Sequence, residues 1–236
     1  MSDRDASEAA DPLRRAADTM RAVRDTCVWT QQIDHRDLVP YLVEESAELI
    51  DAVEAGTRAD LREELGDVLW QVLFHAEIAS RDTDDPFDID DVAQTLTDKM
   101  VRRHPHVFAG ETAETPEQVL VLWNAAKATE KQARTSVLDG VSERMPSLAL
   151  AQKLVGKAAS LPSPVLPARG GADSVLATDP ASADPASEAE LGDALLALVA
   201  IARARGWDAE RALRERLRVL SADIRTAEAA PADLEE

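Results

Sequence analysis

The sequence predicts an all-α chain, a bundle of amphipathic helices, and three observations point there. Apolar residues make up 45% of the 236 residues but aromatics only 3%, so Ala, Leu and Val must carry the core. These residues favour packed helices over sheets. Strand-like runs of β-branched residues are almost absent, and only nine glycines interrupt the chain. The apolar positions recur at helical spacing. The length suits one or two domains with a proper core.

The elements follow in order. Residues 1–11 are polar and acidic and read as a flexible tail. A first helix is expected over 12–26, with Leu13, Ala17, Met20 and Val23 or Arg24 on one stripe. Residues 27–37 connect, around Trp29, to a second helix over 38–55 that Gly56 stops. Thr57 and Asp60 form a box-like start for a third helix over 58–81. Its Leu61, Leu65, Val68, Leu69, Val72 and Leu73 make an apolar stripe. Pro86 breaks the chain. Asp88 caps a fourth helix reaching about Val101, with Ile89, Val92, Leu96 and Met100 inward, and His104-Pro105-His106 ends it. Thr115-Pro116-Glu117-Gln118 starts a fifth with a cap, a proline at the first helical position and a glutamine three past the cap. That helix holds Val119, Leu122, Trp123 and Ala126, and Ser147 opens a sixth. Residues 161–187, with five prolines and Gly170-Gly171, read as a flexible linker. Helices resume over 188–205 and 208–229, before an acidic tail at 230–236. The expected organisation is one domain over 12–160 and a smaller segment over 188–229.

A formal charge of −19 argues against a nucleic-acid binder, which needs a basic face to neutralise phosphates. The first residues lack the apolar core of a signal peptide, and no apolar run approaches the roughly 20 residues that span a bilayer. The single Cys27 leaves no intramolecular disulfide. A cytoplasmic protein is the expectation.

Chemistry enters with two acidic motifs. Glu45 and Glu48 lie three apart in Glu44-Glu45-Ser46-Ala47-Glu48, as do Glu64 and Asp67 in Glu63-Glu64-Leu65-Gly66-Asp67. That spacing puts each pair on one helix face, where like charges repel by a few tenths of a kcal/mol per pair. A divalent cation between the pairs relieves the repulsion. Four carboxylates are hard oxygen ligands, suited to Mg²⁺ or Mn²⁺. No His follows a Glu at the spacing of a di-iron bundle, and zinc lacks its Cys and His ligands. Mg²⁺ bound by carboxylates commonly shares its shell with substrate phosphates. Glu44 and Glu63 are candidate general bases beside such a site.

A phosphorylated substrate needs cations. Lys99-Met100-Val101-Arg102-Arg103-His104 is the one dense basic cluster near the acidic helices in sequence. Trp123 and Lys127, one turn apart, offer a stacking face and a cation. Taken singly, each has an ordinary structural reading. Acidic helix residues are usually a solvated face, and Lys99–Arg103 complements a helix dipole. Trp123 and His75 then belong to or beside a core, and His104 and His106 fix a loop around Pro105. Their combination in one order argues otherwise.

That ordered combination resembles the MazG family of nucleoside triphosphate pyrophosphohydrolases. The likeness rests on Glu44-Glu45-x-x-Glu48 followed by Glu64-x-x-Asp67, on the segment from Lys99 to His104-Pro105-His106-Val107-Phe108, and on Leu122-Trp123 with Lys127 and Glu130. The resemblance implies an all-α NTP pyrophosphatase bundle, a homodimer, Mg²⁺ as cofactor and cleavage between the α and β phosphates. It implies that Glu45, Glu48, Glu64 and Asp67 hold the metal. Lys99, Arg102 and Arg103 would contact the triphosphate, Trp123 and Lys127 would complete the nucleotide site, and Tyr41 would line it. Two departures stand out. Glu64-Leu65-Gly66-Asp67 recurs as Glu190-Leu191-Gly192-Asp193, but no Glu-x-x-Glu precedes the second copy, so it is degenerate. Cys27-Val28-Trp29-Thr30 stands where relatives often have Cys-Pro-Trp-Asp. The alternative is a non-catalytic helical protein that senses nucleotide without turning it over.

Overall fold

The computed structural model describes residues 11–130, 134–161 and 185–229, and all regular structure among them is helical. The expected N-terminal tail up to residue 10, the expected C-terminal tail, and all but the ends of the expected linker lie outside the described residues. The chain divides into two compact units, with the boundary between residues 131 and 132.

In the first unit, α1 (Pro12–Thr26) begins where Asp11 accepts the Leu13 N–H at 3.1 Å and Pro12 presets the first turn. A 3₁₀ turn (Thr30–Gln32) follows, tied down by the Thr30 hydroxyl, which donates to the carbonyls of Val23 and Cys27. The second helix, α2 (Val39–Ala55), ends at Gly56. There a Cβ would lie 2.7 Å from the Ala52 Cα, so only glycine fits the close return of the chain. After two residues α3 (Arg58–Ala79) begins in the expected capping box. Thr57 caps the first amides, and the Asp60 carboxylate accepts the Thr57 N–H at 2.7 Å. So short a connection between helices packed along their length makes α2 and α3 an antiparallel hairpin.

The third helix is the spine of this unit, contacted by α1, α2 and α4 (Ile89–Arg103). Its C-terminal half enters the core, where Leu73 and Phe74 meet Ala17 and Met20 of α1 and Leu38 at the foot of α2. Arg24 is also buried, its guanidinium 5.7 Å from the Phe74 ring centroid. The half-buried end of α3 is tied by charge. Arg81 donates to Glu77 at 2.6 Å and to Asp25 of α1 at 2.7 Å. His35, in the loop before α2, and His75 of α3 approach through their Nδ1 atoms at 2.8 Å with ring planes 8° apart. One imidazole must donate and the other accept, so the contact needs at least one neutral ring.

Three of the expected stripes are only partly buried. Leu13 is exposed while Arg24 is not, and Leu65, Val72 and Leu96 face outward. Periodicity marks the apolar face of a helix, and burial needs a neighbour to cover it. The fourth helix runs two residues beyond Val101, and the expected stop at Pro105 is a helical turn, α5 (Pro105–Phe108). Against both packs α6 (Pro116–Glu130), whose Val119, Leu122, Trp123 and Ala126 are half-buried.

In the second unit, α7 (Ser147–Ala158) packs on α8 (Glu188–Ala204) and α9 (Ala209–Ala229). Val155, Val199, Ile201 and Ala202 are buried. Gln152 joins the helices, donating to the Trp207 carbonyl at 3.0 Å and accepting the Ala209 N–H at 3.1 Å. The chain turns between α8 and α9 at Gly206, where φ is +71°. The repeated acidic motif opens α8. There Glu190 accepts the Ala186 N–H at 2.8 Å, so this carboxylate serves a helix start.

Two outcomes follow. Phe74→Ala removes the largest fully buried side chain and should destabilise the first unit by about 3–5 kcal/mol, measured by urea unfolding followed by CD. Burial, and then His35, push the His75 imidazole below its ordinary value. The unfolded chain therefore accepts a proton near pH ~6.5 that the folded chain resists. Stability is fully present above that pH and is lost as pH falls through the lowered folded value. Melting temperature measured from pH 7.5 to 5 should decline, and His75→Gln should flatten the decline.

Candidate active site

The α2–α3 hairpin brings the two acidic motifs together. Glu45 and Glu48 are one turn apart on α2, and Glu64 lies on the N-terminal half of α3. Each of the three offers an oxygen within 4.8 Å of the others. Asp67, exposed and one turn beyond Glu64, is outside that set, yet its charge reaches both Glu45 and Glu64. The structure thus converges three of the four carboxylates expected there and sets the fourth beside them.

Electrostatics mark the cluster. Burial first, then the charges of Asp67, Glu48 and Glu44, raise the Glu45 carboxyl above its ordinary value. Glu64 is raised by burial and then by Glu48, Asp67, Glu63 and Glu45. One Glu64 oxygen, Oε2, is buried with no hydrogen-bond partner. A buried acceptor of this kind is costly unless something satisfies it. Among the described residues no ion pair joins Glu45, Glu48, Glu64 or Asp67 to a cationic side chain. Clustered hard oxygens with an unsatisfied buried member fit a divalent cation.

Around the cluster the helices place further groups. Glu44 and Glu63 are exposed, each one residue before a member of the cluster. Tyr41, one turn before Glu45, meets the Trp29 ring edge-on at 6.3 Å. Gln71 is 5% exposed, one turn beyond Asp67, and its amide donates toward Glu45, which opposes the rise in that carboxyl. Reading the sequence for charged pairs misses Gln71. The available signal is a lone amide within the apolar run Leu69-Trp70-Gln71-Val72-Leu73-Phe74.

The basic and aromatic residues gather where α4, α5 and α6 meet. Arg103 stacks its guanidinium 5.1 Å from the Trp123 ring centroid and binds Glu130 through Nε and Nη2, at 3.0 and 2.5 Å. Arg102 reaches the same carboxylate at 3.4 Å. His104 meets Trp123 edge-on at 5.1 Å, and its Nδ1 donates to the Met100 carbonyl at 2.6 Å. Lys99 and Lys127 are half-buried nearby on α4 and α6. His104 therefore helps form the helical junction, and the His106 ring packs against it at 5.6 Å.

The family model of the MazG nucleotide pyrophosphohydrolase domain matches residues 33–108, from the loop before α2 to the end of α5. The chain is 46% identical over 216 residues to an uncharacterized 26.1 kDa protein from the blaB 3′ region of Streptomyces cacaoi, covering 92% of this chain and 82% of that one. It is 36% identical over 217 residues to the nucleoside triphosphate pyrophosphohydrolase of Escherichia coli K12, covering 86% and 82%. It is 47% identical over 163 residues to the protein of the same name from Mycobacterium tuberculosis, of which it spans only half the length.

A charge-neutral substitution in the cluster should separate its two roles. Glu64→Gln should raise the melting temperature of the metal-free protein at pH 7, because it removes a desolvated like charge. It should also abolish or greatly reduce the further rise that a divalent cation gives the unaltered chain. Differential scanning fluorimetry with and without the cation reads both.

Proposed function

The chain belongs to the MazG family of nucleotide pyrophosphohydrolases, and from that premise we propose that it is a Mg²⁺-dependent nucleoside triphosphate pyrophosphohydrolase. It converts a triphosphate to the monophosphate and pyrophosphate by cutting between the α and β phosphates. The observation that carries this reading is the convergence of Glu45, Glu48 and Glu64, with Asp67 beside them. These four hold the cation, and Mn²⁺ can replace Mg²⁺ because the donors are all hard oxygens. When bound, the cation polarises a phosphoryl oxygen and makes an attacking water more acidic.

The remaining steps belong to the protein. Glu44 or Glu63, exposed beside the cluster, accepts the proton that the attacking water loses. Lys99, Arg102 and Arg103 meet the negative charge of the triphosphate, and Trp123 and Lys127 complete the nucleotide site, the ring stacking on a base and the cation meeting phosphate. Tyr41, held against Trp29, lines the approach to Glu45. The domain that carries the reaction is the first, with residues 38–130 as its working part.

The partner is a second copy of the chain. Val39, Val43, Ile50 and Val53 form an exposed stripe at 3.5-residue spacing along α2, away from Glu45 and Glu48. An uncovered apolar face of this length is characteristic of an interface. Net charge −19 argues against a nucleic-acid partner, and no described helix is long and apolar enough to cross a membrane.

Purified protein with Mg²⁺ should release pyrophosphate from nucleoside triphosphates across a panel of canonical and damaged bases. Orthophosphate as the sole phosphorus product would overturn the reading, and binding without turnover would favour a nucleotide sensor. Glu48→Ala and Asp67→Ala should each lower kcat by more than about 100-fold with the helical CD signal intact. Val43→Asp combined with Val53→Asp should convert dimers to monomers by light scattering.

A further inference from the structure

Resting on that reading of the nucleotide site, we propose that Glu130 is a positioning residue that divides labour between two adjacent arginines. It locks Arg103 against Trp123 as part of the nucleoside platform, which narrows the triphosphate contact given to Arg103 above, and leaves Arg102 for the phosphates. Glu130 has no role in the functional reading above.

The geometry treats the two arginines differently. Arg103 commits its fork and its face. Nε and Nη2 both donate to Glu130 Oε2, at 3.0 and 2.5 Å, and the guanidinium plane covers Trp123 at 5.1 Å. Its side chain is only 15% exposed. A phosphate would have to break a partly desolvated, charge-assisted contact and a cation–π contact together to claim it. Arg102 makes one long contact, 3.4 Å from Nε to Oε1, and its side chain is 57% exposed. An exposed contact of that length is weak and easily exchanged for a phosphate oxygen.

Helical spacing explains why Glu130 can do this. Trp123, Lys127 and Glu130 follow at i, i+4 and i+7 on α6 and share one face. Among the described residues no ion pair joins Glu130 to Lys127, so its carboxylate goes to α4 and Lys127 keeps its charge for substrate. Arg103 first, and then Arg102, hold the Glu130 carboxyl below its ordinary value, so it stays ionised at neutral pH. His104 completes the setting. Fixed by its bond to the Met100 carbonyl, it meets Trp123 in a T-shaped contact, so the indole is held by two neighbours from one helix end. The assembled platform is therefore Trp123 with Arg103 and Glu130 as its brace, and the phosphates meet Lys99, Arg102 and Lys127.

The test is a double-mutant cycle read in two ways. The first reading is the KM and kcat of pyrophosphate release. The second is equilibrium binding of a non-hydrolysable α,β-methylene nucleoside triphosphate with Mg²⁺. Glu130→Gln should raise KM and the analogue Kd by roughly tenfold, with kcat changed less than about threefold. Arg103→Lys keeps the charge but loses the planar fork, so it should have a similar effect and add little to Glu130→Gln. Arg102→Gln should instead add fully to Glu130→Gln and reduce the salt dependence of analogue binding. Three outcomes would overturn the proposal: unchanged KM and Kd in Glu130→Gln, tighter binding in Glu130→Gln, or full additivity between Glu130→Gln and Arg103→Lys. Tighter binding would mean that Glu130 only competes with substrate. Should the unaltered protein bind the analogue yet release no pyrophosphate, the catalytic reading fails while the cycle still decides the role of Glu130. Should it bind no nucleotide, both fail.

Discussion

Holding Glu45, Glu48 and Glu64 within 4.8 Å of one another sets like charge against like charge along the seam between α2 and α3, so that seam must be tied from outside. The ties lie at its two ends. One end is the two-residue elbow at Gly56 and Thr57, closed by glycine at the tight approach and by the Thr57–Asp60 capping box. At the other, Leu38 leads into α2 and is buried with Met20, Leu73 and Phe74, while His35 reaches across to His75. Beyond these, Arg81 fastens the end of α3 to α1 through Glu77 and Asp25. The repelling groups lie between two anchored ends. The fold can hold them close because the stabilising contacts lie away from the site.

The parts of this arrangement legible in the sequence are local. A cap is read from the residues around one turn, which is why the Thr57–Asp60 and Asp88 helix starts stand where expected. Three-residue spacing places Glu45 with Glu48 because a helix imposes its own geometry. The less legible parts join residues distant in the chain. His35 and His75 are 40 apart, Arg103 and Glu130 are 27 apart, and nothing in either segment alone announces the pairing. Apolar patterning has a related limit. It finds the faces of Leu65, Val72 and Leu96, but whether these are covered depends on a neighbour that no local pattern names. Arg24 shows the converse. A charged residue on the inner stripe of α1 is buried, its guanidinium set over the Phe74 ring.

The two acidic motifs show how little separates a metal cluster from ordinary helix chemistry. Glu64 sits in the body of α3, seven residues past the cap, where its carboxylate has no backbone amide to accept and faces Glu45 and Glu48. Glu190 stands in the same four-residue motif at the third position past a serine cap, and the Ala186 amide claims it. Position within the helix, more than the motif, decides which carboxylate is left unsatisfied. The basic pole shows the same economy of placement. Three residues on one face of α6 supply an aromatic ring, a cation and an anion, and the anion goes to the neighbouring helix.

The elbow at Gly56 also acts as the fulcrum of a lever. Glu48 lies eight residues from it, about 12 Å along the axis at 1.5 Å per residue, and Glu45 lies about 16 Å away. A side chain at position 56 would meet the backbone of Ala52, one turn back in α2, so the chain could not leave that helix along its present path to α3. A splay of only ~5° moves a group 12 Å out by about 1 Å. A looseness of that size is enough to spoil a metal or catalytic geometry. The glycine at the elbow, unlike the equally small Gly66 where a side chain would meet nothing, therefore bears on the carboxylate cluster from a distance, without touching any of its members.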